Sequence, residues 1–153
     1  MEKALLLRRR TPDDLDRLAD LWVASWREAM PDIDFSARRS WFCDHLRALE
    51  AAGAATVCAV DGSDRPIGFV TIDPATAYLD QIAVAPRAKG SGAAALLLSE
   101  ARRLSPTSLI LEVNQDNARA LRFYEREGFE KIAEGVNPRS GLKTWRLRWQ
   151  KRA

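Results

Sequence analysis

The chain has 153 residues, 46% hydrophobic and 29% charged, and its 24 basic and 21 acidic residues give a net charge of +3. These values suit one ordinary globular domain over residues 1–153, and they exclude disordered, collagen-like and disulfide-scaffold proteins. No apolar run approaches the roughly 18–20 residues that a transmembrane helix requires, and the N-terminal apolar stretch 4–7 is too short for a signal peptide, so we expect a cytoplasmic protein without a membrane partner.

The first half of the chain predicts a strand, two helices and three further strands. A strand over 5–9 precedes Thr11-Pro12-Asp13-Asp14, in which a capping threonine, a proline and two acids suit the first turn of a helix. Apolar residues three and four positions apart carry this helix to about Met30, and a second helix covers 35–52. The three strands that follow are predicted over 55–60, 66–73 and 77–84.

The second half of the chain alternates helices with strands. Helical periodicity runs through 90–104 after a glycine-containing loop, and a further helix over 117–127 ends at Gly128, a residue that commonly follows the last helical turn. The remaining β-branched and aliphatic runs predict strands over 107–114, 129–136 and 142–150. The order β-α-α-β-β-β-α-β-α-β-β predicts a mixed α/β fold without repeats or linkers.

The cysteines and the single histidine do not indicate a metal site. Cys43 and Cys58 form no C-x-x-C pair, and His45 is the only imidazole in the chain, whereas a zinc site needs three or four such ligands. His45 lies within a predicted helix with no nucleophile motif nearby, so we expect no Ser-His-Asp or Cys-His triad. Both cysteines are interpreted as small, reduced, apolar residues.

A candidate anion site lies where a predicted strand ends at Val84, a glycine-containing loop follows and a helix begins. Small residues let a ligand approach the backbone N–H groups, and the helix N-terminus adds about half a positive charge. Phosphate or pyrophosphate suits such a site. A tight turn without a ligand is the structural alternative. The segment consists of Lys89, Gly90, Ser91, Gly92, Ala93, Ala94 and Ala95.

The same loop satisfies G-x-G-x-x-A, the fingerprint of dinucleotide-binding proteins, and Glu112 follows Gly92 by the 20 residues expected of a ribose-binding acid. Such a unit usually opens its domain, whereas four predicted strands and two helices precede this loop. Only 41 residues follow Glu112, too few for a second nucleotide-binding half. A dinucleotide-binding oxidoreductase is therefore kept only as an alternative.

A second segment, residues 117–129, reads Asn-Ala-Arg-Ala-Leu-Arg-Phe-Tyr-Glu-Arg-Glu-Gly-Phe. On a helix Asn117, Ala120 and Tyr124 share one face, because seven residues make nearly two turns. A tyrosine hydroxyl on a ligand-facing wall can donate a proton to a leaving group. A core tyrosine with a satisfied hydroxyl is the structural alternative.

Together the two segments resemble the GNAT family of acetyl-CoA-dependent N-acetyltransferases, over most of 79–129 and in the family's order. The family's phosphate loop, (Q/R)-x-x-G-x-(G/A), fits two registers, from Arg87 or from Lys89. The second keeps the usual spacing from Val84-x-Pro86 but has lysine where glutamine or arginine is usual. The block N-x-x-A-x-x-(F/L)-Y-x-x-x-G-F matches without departure. The resemblance implies a three-layer α/β fold with a mixed, mostly antiparallel sheet of six or seven strands and helices on both faces.

The resemblance also implies an activity: direct transfer of the acetyl group of acetyl-CoA to a primary amine of a small molecule or peptide, without a metal, by a monomer or homodimer. The amides of 90–95 are expected to hold the pyrophosphate, Asn117 and Ala120 to line the cofactor arm, and Tyr124 to face the sulfur as general acid. Backbone hydrogen bonds to the pantetheine arm are expected from Ile82, Ala83 and Val84.

The attacking amine must lose a proton, because a lysine-like amine has a pKa of about 10.4 and an α-amine of about 8. Alternation along 107–114 sets Glu112 on the face opposite Leu109, and some family members carry a glutamate at this offset from the asparagine. We therefore expect Glu112 to be the general base, its pKa raised by partial burial. Pairing with an arginine is its structural alternative, and Asp80 and Gln81 are second choices.

The remaining expectations concern the acceptor site and the partners. The first two helices and the last hairpin are expected to wall an amine pocket, which Trp26 faces. A non-catalytic acyl-CoA-binding sensor on the same fold is kept as an alternative function. Six basic residues and no acid follow Gly135, a charge that nucleic acid can attract but that a solvated strand face explains more simply, so no nucleic-acid partner is expected.

Overall fold

The computed structural model describes residues 5–152, and residues 1–4, on which part of the signal-peptide prediction rests, lie outside this range. The helices are α1 (Leu15–Ala29), α2 (Arg39–Ala51), α3 (Ala93–Leu104) and α4 (Ala118–Arg126). The strands are β1 (Leu6–Arg9), β2 (Ala55–Val60), β3 (Pro66–Asp73), β4 (Tyr78–Val84), β5 (Ser108–Asn114), β6 (Glu130–Val136) and β7 (Lys143–Gln150). No helix among the described residues is long and apolar enough to cross a membrane.

The strands form one seven-stranded sheet in the order β1-β2-β3-β4-β5-β7-β6. Every neighbouring pair is antiparallel except β4 and β5, which are parallel. Helices α1 and α2 pack against each other, and α3 packs across β2, β3 and β4. The predicted three-layer, mostly antiparallel α/β fold is confirmed.

One helix begins three residues later than predicted because of the conformation of two glycines. Helical periodicity begins at Gly90, but α3 begins only at Ala93. Gly90 and Gly92 have φ of 82° and 87°, a left-handed conformation that cannot continue a right-handed helix. The two glycines therefore form a loop that delivers the first turn of α3 to the end of β4.

The core fills the space between sheet and helices. Phe42 of α2 and Phe69 of β3 are fully buried, with ring centroids 5.7 Å apart. Leu97 and Leu98 of α3 are likewise fully buried. A Cβ placed on Gly68 would lie only 3.0 Å from Leu97 Cδ1 and from the Ala83 carbonyl oxygen, so a small residue there lets the helix pack closely on the sheet.

The parallel pair β4 and β5 is joined at a single residue pair, Tyr78 and Ile110. Beyond that point β4 continues to pair with β3 as far as Val84, while β5 pairs with β7 along its whole length to Asn114. Each strand therefore follows its antiparallel neighbour, and the two strands separate. This separation opens a cleft at their carboxyl ends.

A buried ion pair fixes the chain where β1 turns into α1. The Arg8 Nη1 atom lies 2.6 Å from Asp14 Oδ2, and the Thr11 backbone N–H donates to the same carboxylate at 2.7 Å. The Asp14 side chain is only 5% exposed. The hydrogen bond from Arg8 is the main cause that lowers the pKa of Asp14 to about 2. Ionised Asp14 therefore favours the folded state.

Asp14→Asn is expected to lower the free energy of unfolding at pH 7 by about 2 kcal/mol, the equivalent of the lowered pKa. Because the folded-state pKa lies below the ordinary aspartate value, this stability is complete above about pH 4 and is lost as the pH falls toward about 2. Urea unfolding across this range should show the two proteins converging. Asp13→Asn, an exposed neighbour, is the control, and a pH-independent difference for Asp14→Asn would contradict the account.

Candidate active site

The cleft between β4 and β5 contains a cavity of about 960 Å³. The end of β4, the loop before α3, the first turns of α3 and α4, and the segment after α1 line it. Of the sequence-predicted cofactor residues, the structure brings all but Ser91 to this cavity wall. The lining residues among them are Ile82, Ala83, Val84, Lys89, Gly90, Gly92, Ala93, Ala94, Ala95, Asn117, Ala120 and Tyr124.

Alternate residues of β4 present their backbone groups to the cleft. The Ala85 N–H donates to the Ile67 carbonyl at 2.8 Å, so residue 85 faces β3. Because successive residues of a strand point their backbone groups in opposite directions, Ala83 also faces β3, whereas Ile82 and Val84 face the cleft. Of the three predicted backbone contacts, Ile82 and Val84 are thus available to a ligand, and Ala83 is paired with Phe69.

The loop before α3 and the first turn of that helix contain several unpaired amides. The Ser91 N–H donates to the Ala88 carbonyl at 3.1 Å, and the Ala93 N–H donates to Ser91 Oγ at 3.3 Å. Both amides are therefore already bonded within the loop, and the expectation that the amides of 90–95 hold a pyrophosphate stays a prediction. Within residues 5–152, four amides of the segment have no acceptor: those of Gly90, Gly92, Ala94 and Ala95. They lie at the positive end of α3, which favours a phosphate-like group.

Lys89 lies at the same wall but already has a partner. Its Nζ atom forms an ion pair with the carboxylate of Glu28 on α1, and both residues line the cavity. Arg87 is exposed and does not line the cavity. This placement favours the loop register that begins at Lys89, although an anion that binds Lys89 must compete with Glu28.

Asn117 both caps a helix and lines the cavity. It is the N-cap of α4, and its Oδ1 atom accepts a hydrogen bond from the Ala120 N–H at 3.2 Å. Such a cap satisfies one of the amides that a helix start leaves unpaired. The Nδ2 donor has no partner among the described residues, so it remains available to a ligand.

Tyr124 is buried among aromatic rings. Its ring centroid lies 5.3 Å from that of Phe123 and 5.4 Å from that of Phe129. The hydroxyl makes no hydrogen bond to the described residues, although Tyr124 lines the cleft. Burial raises the pKa of Tyr124 above its ordinary value, so the phenol keeps its proton at neutral pH.

A second cavity of about 450 Å³ adjoins the first and shares Ile82, Asn117 and Tyr124 with it. Aromatic rings from α1 and α2 form one wall. Trp26, the predicted pocket residue, lines this cavity and stacks on Phe35 with ring centroids 5.6 Å apart. The loop between β6 and β7 closes the other side. Tyr124 therefore lines both cavities.

Glu112 lines the second cavity, but its side chain is less buried than the sequence analysis expects. Its side chain is 35% exposed, and its Oε1 atom lies 3.3 Å from Nη1 of Arg146, the residue directly opposite on β7. The structure thus contains the arginine pairing that was its structural alternative. The assignment of Glu112 as general base stays a prediction.

His45, for which no catalytic role was expected, and Asp80, a second choice for the general base, meet in this cavity. Thr71 opposes Gln81 and Ile72 opposes Leu79, so Asp80 is an extra residue in β4, and such an irregularity redirects a side chain. The Asp80 Oδ1 atom lies 2.8 Å from Nε2 of His45 on α2. The sequence shows a lone histidine in a predicted helix and offers Asp80 as a second-choice base, but no local pattern connects the two residues.

The described residues contain no group of three or more His, Cys, Asp or Glu side chains that could hold a metal ion. Cys43 and Cys58 are both buried and unpaired with each other. Burial raises the pKa of Cys58 to about 12, which leaves it a poor nucleophile. Neither cysteine lines the two cavities.

Comparison with known proteins gives a consistent result. A model of the acetyltransferase (GNAT) family matches residues 15–129. The peptidyl-lysine N-acetyltransferase YiaC of Escherichia coli (strain K12) is 28% identical over 144 residues, 94% of this chain and 96% of the relative. The peptidyl-lysine N-acetyltransferase YjaB of the same organism is 27% identical over 124 residues, 81% of each chain.

A solved structure shares the fold at much lower identity. The PaiA N-acetyltransferase of Thermoplasma acidophilum, in complex with coenzyme A, aligns with a TM-score of 0.79 at 14% identity. The alignment covers 97% of this chain and 99% of that one. An identity this low shows that the two chains share the fold.

Proposed function

This chain belongs to the acetyltransferase (GNAT) family and is an N-acetyltransferase, and we propose that it moves the acetyl group of acetyl-CoA to the ε-amine of a peptidyl lysine by direct attack in a ternary complex. One observation carries the proposal: two adjoining cavities, one bordered by the unpaired amides at the start of α3 and one with aromatic walls, are both lined by Tyr124, whose hydroxyl has no hydrogen-bond partner among the described residues. The family match does not favour the dinucleotide-binding alternative.

The cleft suits a long, anionic donor molecule. Its volume of about 960 Å³ lies in the upper range of small-molecule sites. The free amides of Gly92 and Ala94 at the start of α3 fit the pyrophosphate, and Ile82 and Val84 fit the amides of the pantetheine arm. Asn117 Nδ2 and the small Ala120 fit the same arm. When bound, acetyl-CoA would supply the activated acetyl group as a thioester.

Tyr124 is proposed as the general acid for the departing thiolate. Its hydroxyl has no partner in the described protein, and burial keeps it protonated, as a proton donor requires. The buried cysteines and their absence from both cavity walls support transfer without a covalent acyl-enzyme. The amine therefore attacks the thioester directly.

A peptidyl lysine suits the second cavity. Its aromatic wall includes Trp22, Trp26 and Trp41, which can pack along the apolar stem of a lysine and attract its positive end. The relatives YiaC and YjaB are both named peptidyl-lysine N-acetyltransferases, which supports the same acceptor. We assign Trp26 to acceptor binding on this basis.

The proposed activity is tested by calorimetry with acetyl-CoA followed by release of free thiol with an amine panel. We expect saturable binding of acetyl-CoA and faster thiol release with lysine-containing peptides than with peptides whose only amine is at the N-terminus, or with small amines. Peptides with acetyl-lysine in place of lysine are the control. Binding of acetyl-CoA without thiol release from any amine would instead support the sensor alternative.

Tyr124→Phe is expected to lower kcat by about 10²–10⁴-fold, the usual contribution of a general acid. The dissociation constant for acetyl-CoA should change little, because the ring and its packing remain. Since the hydroxyl bonds to no described residue, the free energy of unfolding should also stay within about 0.5 kcal/mol of the original. Steady-state kinetics and urea unfolding check both points, and an unchanged kcat would remove Tyr124 from the acid role.

A further inference from the structure

His45 is held in a fixed orientation at the wall of the acceptor cavity. Its ring stacks on Trp41 with centroids 4.6 Å apart and planes inclined by 15°. Its Nε2 atom lies 2.8 Å from Asp80 Oδ1, and the two side chains are 28% and 19% exposed. Both residues line the cavity that Tyr124 shares. Stacking and hydrogen bonding together fix the ring, although nothing so far assigns it a role.

The contact with Asp80 determines which nitrogen of His45 is free. An ionised carboxylate only accepts hydrogen bonds, so Nε2 carries the hydrogen and donates it to Asp80. In the neutral ring Nδ1 then carries the lone pair. Nδ1 has no hydrogen-bond partner among residues 5–152. His45 therefore offers a proton acceptor whose tautomer a carboxylate maintains, as in the base and orienting residue of catalytic triads.

Asp80 is itself held in place by a short chain of hydrogen bonds. Gln81 Nε2 donates to Asp80 Oδ1 at 3.1 Å, and Trp22 Nε1 donates to Gln81 Oε1 at 3.2 Å. The chain connects α1 through β4 to α2. The extra residue in β4 brings Asp80 into this network, because without it the strand would alternate strictly. The carboxylate is thus positioned by three elements of the fold.

The other candidate bases at this cavity are less suited to the task. Burial, followed by the charges of Glu112 and Asp80, raises the pKa of Tyr78 to about 12, so the phenol holds its proton. Glu112 is engaged by Arg146. An imidazole, by contrast, is the side chain that most often serves as a general base.

We propose that His45 is the general base that removes a proton from the acceptor ammonium, and that Asp80 is its positioning residue. This inference rests on the proposed N-acetyltransferase function. It replaces Glu112 as the expected base, and it treats Asp80, a second choice for that role, as the residue that orients the base.

The proton balance of the step is complete without a further reactant. The ammonium enters with three protons, of which one passes to His45 Nδ1. The nitrogen then forms a bond to the acetyl carbon while the carbon–sulfur bond breaks. Tyr124 gives its proton to the sulfur and regains one from the nitrogen, and the third proton stays on the product amide. The imidazolium returns its proton to solvent.

Several charged groups surround His45 and enter any pH dependence. Asp80 contacts it from β4, and Glu112 of β5 and Arg38 of the turn before α2 line the same cavity. Arg139, from the loop between β6 and β7, lies over the Trp41 ring at 3.8 Å from its centroid. Tyr78 adds a neutral phenol. The two arginines and two carboxylates balance, so no single sign of charge dominates the cavity.

The test compares His45→Gln, Asp80→Asn and Glu112→Gln across pH with one lysine peptide. His45→Gln should lower kcat/KM at pH 7 by about 10²–10⁴-fold. The deficit should shrink as the pH approaches about 10, where the lysine amine has lost its proton without help. Asp80→Asn should show a smaller loss with the same pH trend. Asp44→Asn, on α2 with a side chain 74% exposed, is the control and should match the original protein.

A second readout does not depend on activity. His45 is the only histidine of the chain, so its ring nitrogens give unambiguous NMR signals. At a pH where the ring is neutral, ¹⁵N shifts should show the hydrogen on Nε2, and Asp80→Asn should weaken that preference. A hydrogen on Nδ1 in the original protein would contradict the inference.

The outcomes separate this inference from the proposed function. If the original protein binds acetyl-CoA but acetylates no amine, the proposed function fails and the inference fails with it. If the original protein is active and His45→Gln matches it, or loses the same factor at every pH, only the inference fails. A pH-dependent deficit in Glu112→Gln but not in His45→Gln would return the role to Glu112.

Discussion

The separation of β4 from β5 beyond a single residue pair is the constraint on which the rest of the site depends. Backbone groups of a buried strand are normally paired, because an unpaired amide away from water costs free energy. Here Ile82 and Val84 direct such groups into a cleft instead. The sheet tolerates this because each strand keeps its antiparallel neighbour. The fold thus leaves a strip of main chain that an extended, amide-containing ligand can complete.

The ends of two helices give this strip a direction. The first turns of α3 and α4 line the same cleft, and each brings unpaired or partly paired amides to it. An anionic group is therefore favoured at the α3 end, and the opposite end reaches Tyr124 and the aromatic cavity. Backbone donors contribute to this polarity, whereas the charge of Lys89 is paired with that of Glu28. Under the proposed function, the reacting end of the nucleotide-tailed thioester would lie at Tyr124, beside the cavity that a second substrate would enter.

Much of this architecture follows from local sequence signals. The boundaries of β2 and β3 are as predicted, because the turn between them has clear turn chemistry. The site is less predictable, since it depends on register. The pairing of Glu112 with Arg146 depends on the register between β5 and β7. The orientation of Asp80 depends on one extra residue in β4. The contact of Asp80 with His45 joins residues 35 positions apart, which no local pattern encodes.

The central claim is that main-chain nitrogens in the cleft grip the donor, and residue-resolved amide hydrogen exchange with and without acetyl-CoA tests it most directly. Exchange at Ile82, Val84, Gly92 and Ala94 should slow on binding, while Ser91, whose amide is already bonded within the loop, should change little. Saturating acetyl-CoA that leaves those four amides unaltered, or protects only a region outside the cleft, would contradict the account.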